Sequence, residues 1–143
     1  MPKQFQIQPI GTVYKKDDAV WIEIQAPFLP GLLGLEQFSH IEVLYWFDQN
    51  DTPEMRATLQ VHPMKDPANP LTGVFATHAP MRPNLIAITV CELLSVDDRR
   101  IRIRDIDARD GSPVIDIKCH IPRAPTGAEV RVPGWIEKGM QKS

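Results

Sequence analysis

Two stretches carry side chains whose type and setting suit chemistry. In Ala79-Pro-Met-Arg-Pro-Asn84, Pro80 and Pro83 fix φ on either side of Met81 and Arg82 and push the preceding residues toward extended conformations. The Arg82 guanidinium is thereby presented from a loop with little entropy left to lose, beside Asn84, and suits a carboxylate or a phosphate. A solvated loop charge, or a partner for a neighbouring Asp, is the plainer role open to the same residue. In Asp105-Ile-Asp-Ala-Arg-Asp-Gly-Ser-Pro113, the acids are available to a ligand or to the turn's own backbone, and Asp110-Gly111 is hairpin chemistry. Arg99, Arg100, Arg102 and Arg104 alternate with Ile101 and Ile103. That face is either a positive row for RNA or a solvent face balanced by Asp97, Asp98, Asp105 and Asp107.

The elements that must position these groups read as strands. Val20, Ile22 and Ile24 alternate with Trp21, Glu23 and Gln25, which predicts a half-buried strand over 19–25, paired through Asp17-Asp18 with one over 6–13. The run 40–47 is almost continuously apolar and rich in aromatic and β-branched residues, as in a central strand covered on both faces. Further strands are expected over 56–61, 72–76, 86–94, 100–105 and 114–118, with Asp97-Asp98 and Asp110-Gly111 between them. Asp116 falls in the last of these as a strand residue. Residues 31–39, with Gly31 and Gly34, suit a loop and one short helical turn, and 133–140 is the other short helical candidate. The fold class is mainly β: one barrel or sandwich domain over 1–143 with short helical segments.

Composition narrows the function. The 143 residues are enough for one core without disulfides. With 16 basic against 18 acidic side chains there is no global positive field, so any RNA contact must be local. Cys91 and Cys119 are too few for a disulfide scaffold, which predicts a reducing cytoplasm. The N-terminus lacks the apolar core of a signal peptide, and no run is long enough to span a bilayer, so an unprocessed, soluble chain is expected. The histidines, His40, His62, His78 and His120, have no metal-ligand spacing and no metal is assigned; His40 is expected to fix a turn after Ser39. A Gly-x-Ser-x-Gly elbow is absent, which disfavours hydrolysis, and no Gly-rich strand-to-helix turn marks a Rossmann unit.

Three blocks together carry a resemblance: Gly34-Leu-Glu-Gln-Phe-Ser-His40, Gly73-Val-Phe-Ala-Thr with Pro80-x-Arg-Pro-Asn84, and Asp107-Ala-Arg-Asp-Gly-Ser-Pro-Val-Ile-Asp-Ile-Lys118. From about Ile10 to Pro122 the chain resembles the TrmO/YaeB family of S-adenosylmethionine-dependent tRNA methyltransferases. The resemblance implies a single-domain β-barrel that binds S-adenosylmethionine through loops. Its cofactor contacts fall on Asp48, Gln49, His78, Ile88, Arg104, Asp105, Ile106 and Asp107 of this chain, with Arg82 a candidate for the methionine end of the cofactor or for the RNA backbone. Asp107 and His78 become candidate proton acceptors. The implied substrate is N6 of the threonylcarbamoyl-modified adenosine next to the tRNA anticodon, and a homodimer is expected because family sites lie near a subunit boundary.

The chain departs from that pattern at His78, where Arg is usual, at Leu85 and Ala87, where Pro and Gly are usual, and at Asp48, where His is common. His for Arg exchanges a permanent bidentate donor for a group that can be neutral. The family's C-terminal region is expected to be missing, and its Pro/Gln-rich contact near the N-terminus to be shortened. Two further readings follow: a methyltransferase for a different, smaller acceptor, and a non-catalytic S-adenosylmethionine-binding module.

Overall fold

A tight hairpin opens the fold. Strand β1 (Gly11–Lys16) pairs antiparallel with β2 (Ala19–Ile24), Lys16 opposite Ala19, and Asp17 takes the left-handed φ of 55° that the turn demands. The first strand is displaced from the expected 6–13, because the tight turn at Asp17 sets Lys16 opposite Ala19 and the ladder ends with Gly11 opposite Ile24; Val13 and Ile22 face each other within it, both fully buried. The computed structural model describes residues 3–122 and 130–141.

Strand β3 (His40–Trp46) follows a 3-10 segment Ala26–Leu32 and a 3-10 turn Leu35–Gln37. Its burial alternates: Ile41, Val43 and Tyr45 are in the core, and Leu44 and Trp46 are half-buried. It is one stave of a single wall, not a strand covered on both faces as its composition implied. The expected strand over 56–61 is instead α1 (Pro53–Arg56) followed by the two-residue β4 (Gln60–Val61). Pro53 is tolerated at the first helical position, and Thr52 caps the helix by accepting from the Met55 amide. Strand β5 (Thr72–Gly73) pairs with β4 and then turns into a 3-10 helix Val74–Ala76, which replaces the rest of the strand expected over 72–76. The later strands β6 (Ile86–Asp97), β7 (Arg100–Ile103) and β8 (Pro113–Cys119) fall close to expectation, and α2 (Gly134–Gln141) occupies the expected C-terminal helix.

The long strands close into a barrel in the order β1-β2-β7-β6-β3-β8, antiparallel throughout. Ile22, Ile41, Ile101 and Val114 are wholly buried inside it, each contributing about 1.5–3 kcal/mol of transfer free energy. Two bulges shape the wall, one beside Leu44/Tyr45 against β8 and one between Leu93 and Ser95 against β7. The β6–β7 ladder begins only at Leu93, so the first half of β6 has β3 as its strand neighbour and an open edge on the other side.

Closure rests on a short seam. Gly11 faces Ile24 on one side and Val114 on the other, and a Cβ there would lie 2.5 Å from the Glu23 carbonyl oxygen. Gly11→Ala should therefore destabilise the fold by about 1–3 kcal/mol through forced displacement of backbone. Urea unfolding checks this: the midpoint falls while the slope is kept.

Candidate functional site

The polar site grows from the path between β7 and β8. Across residues 104–112, Ile106 and Ala108 are both 3 % exposed and plug the barrel, while Asp105, Asp107 and Arg109 alternate with them and stay exposed. This is strand-like alternation without a strand partner, and it aims Asp107 outward by anchoring its neighbours inward. Strand β1 pins the segment. The Lys15 amide donates to Asp110 Oδ1 at 2.8 Å, Lys15 Nζ donates to the Ile106 carbonyl, and the Gly111 amide donates to the Val13 carbonyl at 2.7 Å. Asp110 is thus structural, and Gly111 supplies a φ of 89°.

Opposite it stands the end of β3. The Phe47 amide donates to the Leu85 carbonyl at 2.9 Å, and Asp48–Asn50 forms a 3-10 turn that carries Asp48 and Gln49. Behind the turn, Asp51 accepts from Arg56 Nε at 2.7 Å and from Trp46 Nε1 at 3.1 Å. The hydrogen bonds from Arg56 and then Trp46 hold the Asp51 carboxyl below the usual carboxylate range. Arg56 also donates to the Pro83 carbonyl at 3.2 Å and lies 5.5 Å from the Trp46 ring centre. One side chain thereby ties the end of β3 to the proline loop, a role that sequence reading missed although Asp51 and Arg56 flank a visible helix start.

These pieces enclose a cleft of about 120 Å3 lined by Tyr45, Asp48, Gln49, Pro80, Asp107 and Arg109, among others. The structure therefore brings together three of the sequence-predicted residues, Asp48, Gln49 and Asp107. Two carboxylates, Asp48 and Asp107, and one guanidinium, Arg109, line it. Burial pushes the Cys91 thiol up to about 11, with Asp105 and Asp107 adding to the shift, and burial raises Tyr45, whose hydroxyl lies 3.3 Å from Thr89 Oγ1, with Asp107 again contributing.

The other predicted residues lie elsewhere. Ile106 has its side chain in the core and its carbonyl on Lys15, and its amide is taken by Asp105, so neither its side chain nor its backbone polar groups are free for a ligand. Asp105 accepts from the Ile106 amide at 2.8 Å, and Arg104 pairs with Glu92 at 3.2 Å while its amide extends the ladder to the Glu92 carbonyl. Ile88 is 51 % exposed on the outer face of β6, beside that open edge. His78 borders a separate cavity of about 590 Å3, which shares Pro80 with the cleft. Arg82 points into its own loop, donating to the carbonyls of Thr77 at 3.1 Å and Ala79 at 3.0 Å. His40 meets Ser39 Oγ at 2.8 Å through Nδ1. Among the described residues no group of three or more His, Cys, Asp or Glu converges as a metal site, and no helix is long and apolar enough to cross a membrane.

The fold is thus a closed antiparallel β-barrel with the carboxylates of two loops, Asp48 and Asp107, at one cleft, and among the described residues no Rossmann layer is present. The model of the tRNA-methyltransferase O N-terminal domain matches residues 2–125, and the chain belongs to that family. Among its relatives, a probable S-adenosyl-L-methionine-binding protein of Pyrococcus horikoshii is 46 % identical over 114 residues, covering 80 % of this chain and 81 % of that one. An S-adenosyl-L-methionine-binding protein of Archaeoglobus fulgidus is 42 % identical over 101 residues, covering 71 % of this chain and 68 % of the relative. The crystal structure of TrmO from Pseudomonas aeruginosa superposes with a TM-score of 0.71 at 28 % identity, covering 94 % of this chain and 63 % of the solved chain. The protein thus spans somewhat under two thirds of the TrmO chain it resembles.

Because both Arg82 contacts are to backbone carbonyls of its own loop, Arg82→Met, which keeps the stem and removes the donors, should destabilise the fold by about 1–3 kcal/mol. Thermal unfolding would show the loss, and hydrogen exchange would localise it to the amides of residues 77–84.

Proposed function

We propose that the protein is an S-adenosylmethionine-dependent methyltransferase whose acceptor is tRNA. The observation that carries this is the convergence of Asp48, Gln49 and Asp107 at one cleft in a chain of the tRNA-methyltransferase O family. The donor set fits the cofactor. Its sulfonium and ammonium are cations that the Asp48 and Asp107 carboxylates would hold, and Gln49 and Arg109 offer donors to its carboxylate. A cleft of about 120 Å3 is smaller than the roughly 300–1,000 Å3 of ordinary ligand sites, so it accounts for one end of such a ligand. The remainder would lie along the open edge of β6, near Ile88, Arg104 and Asp105. Arg82 acts in this reading by stiffening the loop that bears His78 and Pro80.

Bound there, the cofactor supplies a methyl group already activated by its positive sulfur. What remains for the protein is positioning, exclusion of water and acceptance of a proton. The exposed Arg99, Arg100 and Arg102 give a local positive face for RNA on an otherwise slightly acidic chain, with Arg100 5.2 Å from the Trp21 ring centre. The chain functions as one domain over 1–143, and its two free thiols fit residence in a reducing cytoplasm. The homodimer reading is supported by the outer face of β6, where Ile86, Ile88 and Val90 are 42 %, 51 % and 50 % exposed in a row and offer apolar surface to a second copy.

Calorimetric titration with S-adenosylmethionine should give saturable binding, and Asp107→Asn should weaken it about tenfold, or about 1.4 kcal/mol. Unchanged affinity in the folded variant would remove Asp107 from the contact. Binding of tRNA that is absent, or insensitive to salt, would point to a small acceptor instead. Val90→Lys should convert dimer to monomer in light scattering at unchanged thermal stability; a wild type already monomeric at tens of micromolar would end the dimer reading.

A further inference from the structure

We propose that the cavity of about 590 Å3 walled by residues 61–65, 75–81 and the start of α2 binds a flat aromatic carboxylate, independently of the cleft and of methyl transfer. Its volume lies within the roughly 300–1,000 Å3 of ordinary small-molecule sites. Three separate parts of the chain furnish its apolar wall: Met64 from the loop after β4, Phe75 and Met81 from the stretch after β5, and Trp135 and Ile136 from α2. Thioethers and aromatic rings around one space suit the faces and edges of a flat ring system. Phe75 and Met64 are 80 % and 59 % exposed, so the cavity presents apolar surface that such a ligand would take out of water.

The sign of the wall selects the charge of the ligand. Lys65, His62 and His78 are its ionisable side chains, and among the described residues no carboxylate lines it. Nor does any acid among the described residues pair with Lys65, so an anion in the cavity would find that ammonium uncommitted. On a chain with a formal charge of -2 this one-sided lining is a local exception, and it is the reverse of the cleft, where Asp48 and Asp107 stand. His62 can add to the positive charge at no loss of bonding. Its Nδ1 lies 2.9 Å from the Asn69 carbonyl oxygen, which can only accept, so Nδ1 carries a hydrogen and a further proton goes to Nε2. The loop that bears these groups is braced in advance: Asn69 Nδ2 donates to the Pro63 carbonyl at 2.9 Å, the Ala68 amide donates to Asp66 Oδ1 at 2.9 Å, and Pro63 is buried. Met64 and Lys65 are both held at positive φ, 60° and 55°, which two successive non-glycine residues adopt only under constraint from their surroundings. A wall already fixed in this way has less ordering entropy to lose when a ligand enters.

The test titrates the whole chain with three probes that share one ring system and differ in charge: naphthoate, naphthylmethanol and naphthylmethylamine. Naphthoate should bind saturably and about tenfold tighter than the alcohol, with the amine weakest. Lys65→Met should remove most of the preference for naphthoate while the alcohol binds as before. Trp135→Ala and Phe75→Ala, on different parts of the wall, should each weaken naphthoate about fivefold or more. An alcohol that binds as tightly as naphthoate, or an amine that binds tighter, would overturn the anionic ligand class. Naphthoate binding unchanged in both Trp135→Ala and Phe75→Ala, or no saturable binding at millimolar probe, would overturn the site itself. Competition between naphthoate and S-adenosylmethionine would overturn its independence from the cleft. Because the probes are titrated without cofactor, failure of S-adenosylmethionine to bind would strike the methyl-transfer reading alone.

Discussion

The hold that β1 exerts on residues 104–112 is the constraint on which the site depends. Strand β7 stops at Ile103, and the chain must cross the barrel mouth before it can return as β8. Free in solution, that crossing would sample many conformations. Ile106 and Ala108 sink into the core, and Lys15 fastens the segment at two points, its amide to Asp110 and its ammonium to the Ile106 carbonyl. Asp107 is left with one place to be. The same early stop of β7 opens the edge of β6, so a single decision in the ladder creates both an exposed carboxylate and an unpaired strand edge beside it.

The second support is the proline loop. Its shape is held by Pro80 and Pro83 together with two arginines that serve backbone carbonyls, Arg82 at Thr77 and Ala79, and Arg56 at Pro83. Carbonyls at a sharp bend have no ladder partner, and a guanidinium satisfies several from one planar group. The loop stands as a partition, with the acidic cleft on one side of Pro80 and the apolar cavity on the other.

The barrel was legible where local pattern and tertiary need agree. Alternation along 19–25 and 100–105, and the acidic turns at Asp17 and Asp98, read directly as β2, β7 and their hairpins, with both turn residues at positive φ. Family resemblance located Asp48, Gln49 and Asp107, which the fold then gathers at one cleft. What stayed hidden was set by partners distant in sequence. Residues 56–61 have strand-like side chains, but Thr52 and Pro53 start a helix just before them, and that local chemistry prevails. The lone Arg82 looked available because its acceptors, carbonyls, have no sequence signature.

The seam at Gly11 also governs how the protein is made. The barrel closes between its first strand and its last, so the contacts joining Gly11 and Thr12 to Val114 and Pro113 span almost the whole sheet in sequence. Such pairing has high contact order and is slow to find. During synthesis the β1–β2 hairpin must wait, with one edge bare, until β8 has left the ribosome. The mouth and its carboxylates take shape only at that last event, so a half-made chain has strands but no site.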